Sequence, residues 1–178
     1  PDFIGVWGDQ AKKHAIEIHQ FQDRQIFCLG TPRFNSYFGL RNSEIGSHFD
    51  FPYILFVGTA INFDEEKMLS FLDDTIEKNK NIFGNVKIVY RPHPWRQNAI
   101  KVEPSYGKNV ITDPQALSGG NNKTTEYLPS LDYYPSLLRN AEFLVGGLTS
   151  MLIEGLIFHK QFLGLAIDDG TYLTNMKN

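Results

Sequence analysis

Short apolar runs alternate with amphipathic stretches along most of the chain. Asp2–Trp7 (DFIGVW), Arg24–Leu29, Phe51–Val57 (FPYILFV), Val86–Tyr90, Asn109–Thr112 (NVIT), Phe143–Val145 and Phe162–Ile167 are rich in β-branched and aromatic residues. Each is bounded by turn-forming or charged residues, which is the pattern of a buried strand. Between them the apolar positions fall at helical intervals. Gln10–Phe21 reads as a short helix on Ala11, Ala15 and Ile18. Asp64 is placed to cap a helix over Glu65–Lys78, with Met68, Phe71, Leu72 and Ile76 facing inward. Tyr134–Arg139 and Met151–Phe158 read as further helices, and Arg33–Ser47 as a short helix and linker. Lys123–Leu128 has no decisive pattern. Ser118–Thr125 (SGGNNKTT) is polar and glycine-rich and predicts a flexible loop, placed where an active-site loop belongs.

Strands separated by helical crossovers give a parallel sheet with helices on both faces, an α/β Rossmann-like fold. The best boundary lies between Arg33 and Asp50. It divides the chain into a small leading piece, residues 1–49, and one larger domain, residues 50–178. A length of 178 residues suits one domain, or one domain plus part of another. The chain begins at Pro1 and ends in TYLTNMKN without a closing element, which reads as a piece of a longer protein. The formal net charge of -3 argues against nonspecific nucleic-acid binding. Cys28 stands alone, so an internal disulfide is excluded and a reducing compartment is favoured. No apolar stretch approaches the roughly 20 residues of a membrane span, and no signal peptide is visible.

Two segments carry candidate chemistry. The first is VKIVYRPHP, Val86–Pro94. Its prolines end the strand, because neither can donate to a sheet ladder. They leave Arg91 and His93 at the strand's carboxyl end, where open parallel sheets bind ligands. Arginine offers a planar fork for phosphate, and histidine can donate to an anion or move a proton. The second is AEFLVGGLTSMLIEGL, Ala141–Leu156. Here a strand, a Gly146-Gly147 turn and a helix start follow one another, with either Thr149 or Ser150 as the cap. Free N–H groups and the positive helix end make this an anion site. Glu154 lies one turn after Ser150 on the same face. A phosphate at Ser150 and a ribose at Glu154 fit a nucleoside diphosphate. Gly58 and Thr59, after the strand Phe51–Val57, have the simple reading of a plain βα turn.

Other residues have simpler readings. His159 and Lys160 complement a helix dipole. His14, His19 and His48 lack ligand spacing, so no metal is expected. The Tyr133-Tyr134 pair reads as core or groove wall rather than a stacking platform. Asp168-Asp169-Gly170 is either a turn or a contact for sugar hydroxyls.

The chain resembles the carboxyl-terminal half of a GT-B glycosyltransferase. More narrowly, it resembles the CDP-glycerol glycerophosphotransferase and surface-polysaccharide transferase group. The resemblance rests on GTPRF (Gly30–Phe34), ILFVGTA (Ile54–Ala60), YRPHP (Tyr90–Pro94) and, most specifically, PSLLRNAEFLVGGLTSMLIEGLIFHKQFLGL (Pro135–Leu165). It covers about Pro1–Asp169. Three positions depart from the usual pattern. Asn35 stands where an Asp is usual, a Gly-Gly-Leu run replaces an Asp before Thr149-Ser150, and Lys160-Gln161 replaces Lys-Pro.

The resemblance implies a domain that holds a nucleotide-activated donor. Arg91 and His93 would contact its diphosphate and serve catalysis. Thr149 and Ser150 would bind phosphate, Glu154 the ribose, and Gly58 and Thr59 would form the phosphate-side loop after the first strand. It implies no cofactor, since the donor is a substrate. A glycan or polyol-phosphate acceptor would come through an amino-terminal domain lying outside this chain. The parent protein would be cytoplasmic, with peripheral association at the inner face of the membrane, and this piece alone would be inactive. Two alternatives share these features: a nucleotide-sugar 2-epimerase, and a nucleotide-binding module without catalysis.

Overall fold

The computed structural model describes residues 2–60, 64–94, 107–118 and 133–165. The chain divides into two compact units, Pro1–Gly39 and Leu40–Asn178. That division falls inside the expected Arg33–Asp50 interval but earlier than the break at residues 49 and 50.

The first unit is a βαβ element. β1 (Ile4–Val6) and β2 (Ile26–Cys28) pair in parallel, with Ile4 opposite Ile26, and α1 (Asp9–Glu17) connects them. Val6, Ala15 and Ile26 form its core, with Ile4, Ala11 and Phe21 packed against them. The helix stops before the expected Phe21, and Gln20 turns the chain through a left-handed φ of 57°. A 3-10 turn at Pro32–Phe34 leads into α2 (Asn35–Leu40).

The second unit holds β3 (Tyr53–Val57), α3 (Glu65–Lys78), α4 (Lys80–Phe83), β4 (Lys87–Arg91), β5 (Val110–Thr112), α5 (Pro114–Ser118), α6 (Tyr133–Asn140), β6 (Leu144–Gly146), α7 (Ser150–Ile157) and β7 (Phe162–Gly164). The five strands pair in parallel in the order β5-β4-β3-β6-β7. The chain thus steps outward from β3 through β4 to β5, then crosses back to place β6 on β3's other side. The reversal makes a topological switch point between β3 and β6, the place where such sheets open a crevice for ligands.

Residues paired in register share a face. Ile54, Phe56, Ile88, Tyr90, Val110 and Val145 pack with Leu69 and Ile76 of α3. The opposite face carries α6 and α7. There the Tyr53 hydroxyl donates to Leu137 O at 2.7 Å, and Gly155 lies against the Leu144 side chain. Helices therefore cover both faces, as expected.

The cap of α3 is also as expected, since Asp64 Oδ1 accepts from Lys67 N at 3.0 Å. Its inner face differs. Phe71 is 59% exposed, while Leu69 and Asp73 point inward with Ile76. Asp73 is buried because it accepts from Lys108 N and Asn109 N, sewing the approach to β5 onto the helix. A stripe that contains a carboxylate is misread when only apolar positions are counted.

Side chains of α6 also fasten the segment that opens this unit. Ser136 Oγ donates to Gly46 O, Asn140 Nδ2 to Ile45 O, and Arg139 to Leu40 O and Arg41 O. Lys123–Leu128, Asp168-Asp169-Gly170 and most of the expected 118–125 loop lie outside the described residues.

Candidate functional site

The register sets three strand ends level. Val57, the last residue of β3, pairs with Arg91 of β4 on one side and Gly146 of β6 on the other. With about 4.8 Å between neighbouring strands, the ends of β4 and β6 stand roughly 10 Å apart. Two glycines make this edge possible. A Cβ on Gly58 would fall 2.7 Å from His93 N and 3.0 Å from Arg91 O. Gly146 has φ of +151°, and a Cβ there would fall 2.3 Å from Val57 O. The chain leaving β4 and the chain leaving β6 therefore both press against the end of β3.

From Gly146 the chain passes through Gly147 and Leu148 to Thr149, the N-cap residue of α7. Thr149 has the extended backbone of a cap, yet its side chain makes no capping hydrogen bond. Its carbonyl accepts from Leu152 N at 3.0 Å. Ser150, not Met151, begins the helix, and it is exposed. The positive end of α7, beside the switch point, thus receives no cap from the side chain of its own N-cap residue. Thr149, partly exposed, and Ser150 both stand where an anion can reach them.

The other expected contacts lie differently. Gly58 N donates to Arg91 O at 2.8 Å, and Thr59 N to Glu65 Oε1 at 2.9 Å. Both amides are spent inside the protein, and Thr59 is 2% exposed. Gly58 and Thr59 thus form a locked βα turn rather than an open phosphate cradle. Glu65 Oε2 also accepts from the Tyr90 hydroxyl, so one buried carboxylate ties the β3–α3 turn to β4. Glu154 is 1% exposed. A ribose would reach its carboxylate only if the surrounding chain opened.

Arg91 departs most from expectation. Its side chain is 2% exposed, and its guanidinium is committed to protein partners. Nη1 donates to Asp113 Oδ2 at 2.7 Å and to Gln115 Oε1 at 3.3 Å, and Nη2 donates to the Tyr134 hydroxyl at 3.0 Å. The Tyr134 ring lies 5.1 Å from the guanidinium carbon. Nε is buried with no acceptor among the described residues. Burial alone would lower the Arg91 pKa. The charge of Asp113 and the Tyr134 contact outweigh it and raise the value.

Asp113 is fully buried and also accepts from the Tyr133 hydroxyl and from Gln115 N. Burial first, then that bond to Asp113, pushes the Tyr133 phenol up. His48 stacks on Tyr133 with centroids 4.2 Å apart. The direct diphosphate contact expected of Arg91 is therefore not available in this arrangement, because the charge is already neutralised by a buried partner. His93, two residues on and only partly buried, remains at the edge.

Sequence reasoning did not single out Asp113, Gln115 or Glu65. The usable signal was Asp113-Pro114 directly after NVIT, which places an acid at the end of the strand beside the one ending in Arg91. Among the described residues, no group of three His, Cys, Asp or Glu side chains could hold a metal ion. Nor is any helix among them long and apolar enough to cross a membrane. A groove of about 570 Å³ lies in the first unit, lined by Trp7, Gly8, Asp9, Gln10, Ala11 and His14, and contains none of the candidate residues.

No known protein family matches this sequence, and no curated protein does. Solved structures do match in fold. A variant of the wall teichoic acid polymerase TagF superposes with a TM-score of 0.54 at 15% identity, over 99% of this chain and 44% of that one. A proposed UDP-N-acetylglucosamine 2-epimerase of Listeria monocytogenes gives 0.55 at 16% identity, over 98% and 44%. The Methanocaldococcus jannaschii UDP-GlcNAc 2-epimerase, solved with UDP-GlcNAc and UDP, gives 0.54 at 16% identity, over 92% and 45%. The chain spans under half the length of these structures. The likeness establishes the fold, a GT-B-like α/β arrangement.

Proposed function

We propose that the second unit binds the diphosphate of a nucleotide-activated donor, and that the chain is the donor half of a transferase that builds a surface polysaccharide or teichoic-acid-like polymer. The observation that carries this reading is the switch-point edge. His93 follows the end of β4 on one side of β3, and Thr149, Ser150 and the first turn of α7 follow the end of β6 on the other. Preorganised N–H donors and an imidazole at that edge would stabilise charge on the departing nucleotide. His93 has the catalytic role in this reading, and Arg91 supports it from beneath. Glu154 would meet the ribose after opening of the surrounding chain. Neutralisation by the helix end and histidine supplies what a metal would otherwise supply. The acceptor, a glycan or polyol phosphate, would be held by a further domain of the parent, working at the cytoplasmic face of the membrane. The residue range 1–49 fits the trailing part of such a domain and its linker.

The epimerase reading is kept because two of the fold's solved relatives carry that name. It needs additional acid–base carboxylates at the edge. Glu65, Asp113 and Glu154, which follow β3, β5 and β6, are all buried, and Asp64 is taken up in capping α3.

The test is titration of the chain with CDP, CMP and UDP, followed by turnover assays on the parent protein. Saturable binding that favours a diphosphate over its monophosphate supports the donor site. Release of free nucleotide only when a polyol-phosphate or glycan acceptor is present supports transfer. Interconversion of a UDP-sugar with no acceptor would favour the epimerase. Binding without turnover of either kind would favour the inactive module.

A further inference from the structure

We propose that Asp113 is a positioning residue that sets the place of His93 through its buried pair with Arg91. The inference rests on reading the switch-point edge as the donor site, but its geometry stands apart from the nucleotide.

Arg91 is held from three directions. Asp113 and Gln115 hold Nη1 from the β5–α5 junction, Tyr134 holds Nη2 from α6, and Gly58 holds the backbone carbonyl from β3. Asp113 is itself held by the Tyr133 hydroxyl and Gln115 N. Only Pro92 separates Arg91 from His93. A proline ring fixes φ, so few soft torsions lie between the anchored Arg91 and the His93 amide. That amide already lies close to where a Cβ on Gly58 would fall, at 2.7 Å, so the path has no slack on that side either.

A buried ion pair is a poor source of net stability, because desolvation offsets the attraction and apolar residues of similar size often serve as well. What the pair supplies and an apolar pair would not is direction. The guanidinium fork accepts only a narrow set of partner positions, and lysine could not reproduce it. The exit of β4 is thereby fixed relative to β5 and α6, and His93 with it.

The test uses the full chain with Asp113→Asn, and a double variant, Arg91→Met with Asp113→Leu, that replaces the pair by apolar groups and guards against simple unfolding. The readouts are the His93 imidazole NMR signals, assigned with His93→Gln, and titrations with CDP and CMP. His14, His19 and His159 serve as references, while His48 is left out because it stacks on Tyr133. The expected result is displacement of the His93 signals in both variants, with the reference histidines unmoved. CDP binding should weaken roughly tenfold or more, and CMP binding less. Unmoved His93 signals in a folded variant, or equal displacement of all the histidines, would overturn the proposal. Displaced His93 signals in the variants, with a wild-type chain that binds neither nucleotide, would uphold the positioning role and remove the donor reading.

Discussion

Gly146→Ala should be among the most damaging single-methyl changes in this chain. The added Cβ would lie 2.3 Å from Val57 O and 3.0 Å from Val57 Cγ2. Ordinary contact begins near 3.4 Å, so about 1 Å of relief is needed. Val57 cannot provide it, because it is paired to Arg91 on one side and to Gly146 itself on the other. Overpacking of this kind costs roughly 1–3 kcal/mol. The backbone adds to it, because φ of +151° is a region that only glycine occupies freely, and forcing another residue there costs about 1–3 kcal/mol. The combined expectation is about 2–6 kcal/mol. At about 2–4 °C per kcal/mol for a chain of this size, the melting temperature should fall by roughly 4–24 °C. Gly164→Ala is the control. Its Cβ would meet only Phe162 Cε1 at 3.6 Å, an ordinary contact. Thermal unfolding followed by circular dichroism, with both variants beside the wild type, makes the comparison. A Gly146→Ala protein that melts with the Gly164→Ala control would show that the β3–β6 approach is not as tight as described.

Tyr90→Phe removes one donor from buried Glu65, whose carboxylate also accepts from Thr59 N. It should lower stability by about 1.5–3 kcal/mol, read as a smaller urea midpoint at an unchanged slope, and an unchanged midpoint would refute the network. Alkaline pH should also destabilise the fold. Burial raises the phenol pKa of both Tyr53 and Tyr133, so both stay protonated in the folded chain. Their contribution is whole below the unfolded value of about 10 and is lost as pH climbs from there toward the raised folded values. Near-ultraviolet absorbance during a base titration should show these phenols ionising together with unfolding. Ionisation of all eight tyrosines in one step with the fold intact would contradict the burial.

Much of the fold was legible because its strands are fully buried. FPYILFV and VKIVY admit few other readings, and both are strands with little exposed surface. Asp64 was legible as a cap because the cap is a local rule. Strand order was not legible, since parallel pairing leaves no local trace and β6 must cross the whole sheet to reach β3. The candidate site was legible in position but not in role. Arg91 looked like a ligand for phosphate because its partner Asp113 lies 22 residues away. Thr59 looked like a loop residue because nothing local announces that Glu65 takes its amide. The same physics hid Asp73, since an acid on a helix is read as solvated until the backbone amides it serves are located. In each case a polar group was buried by a partner at no regular helix or strand spacing, 6 residues away for Thr59, 22 for Arg91 and 36 for Asp73, which composition and periodicity do not report.

The central claim is that a nucleotide diphosphate binds at the switch point between β3 and β6. Mapping backbone amide shifts during a CDP titration tests it most directly. The account predicts saturable changes that cluster at Gly147–Met151 and His93, with smaller ones at Gly58 and Thr59, whose amides are already bonded. Saturable changes confined to the first unit, around Trp7–His14, or no saturable change with any nucleotide, would contradict it.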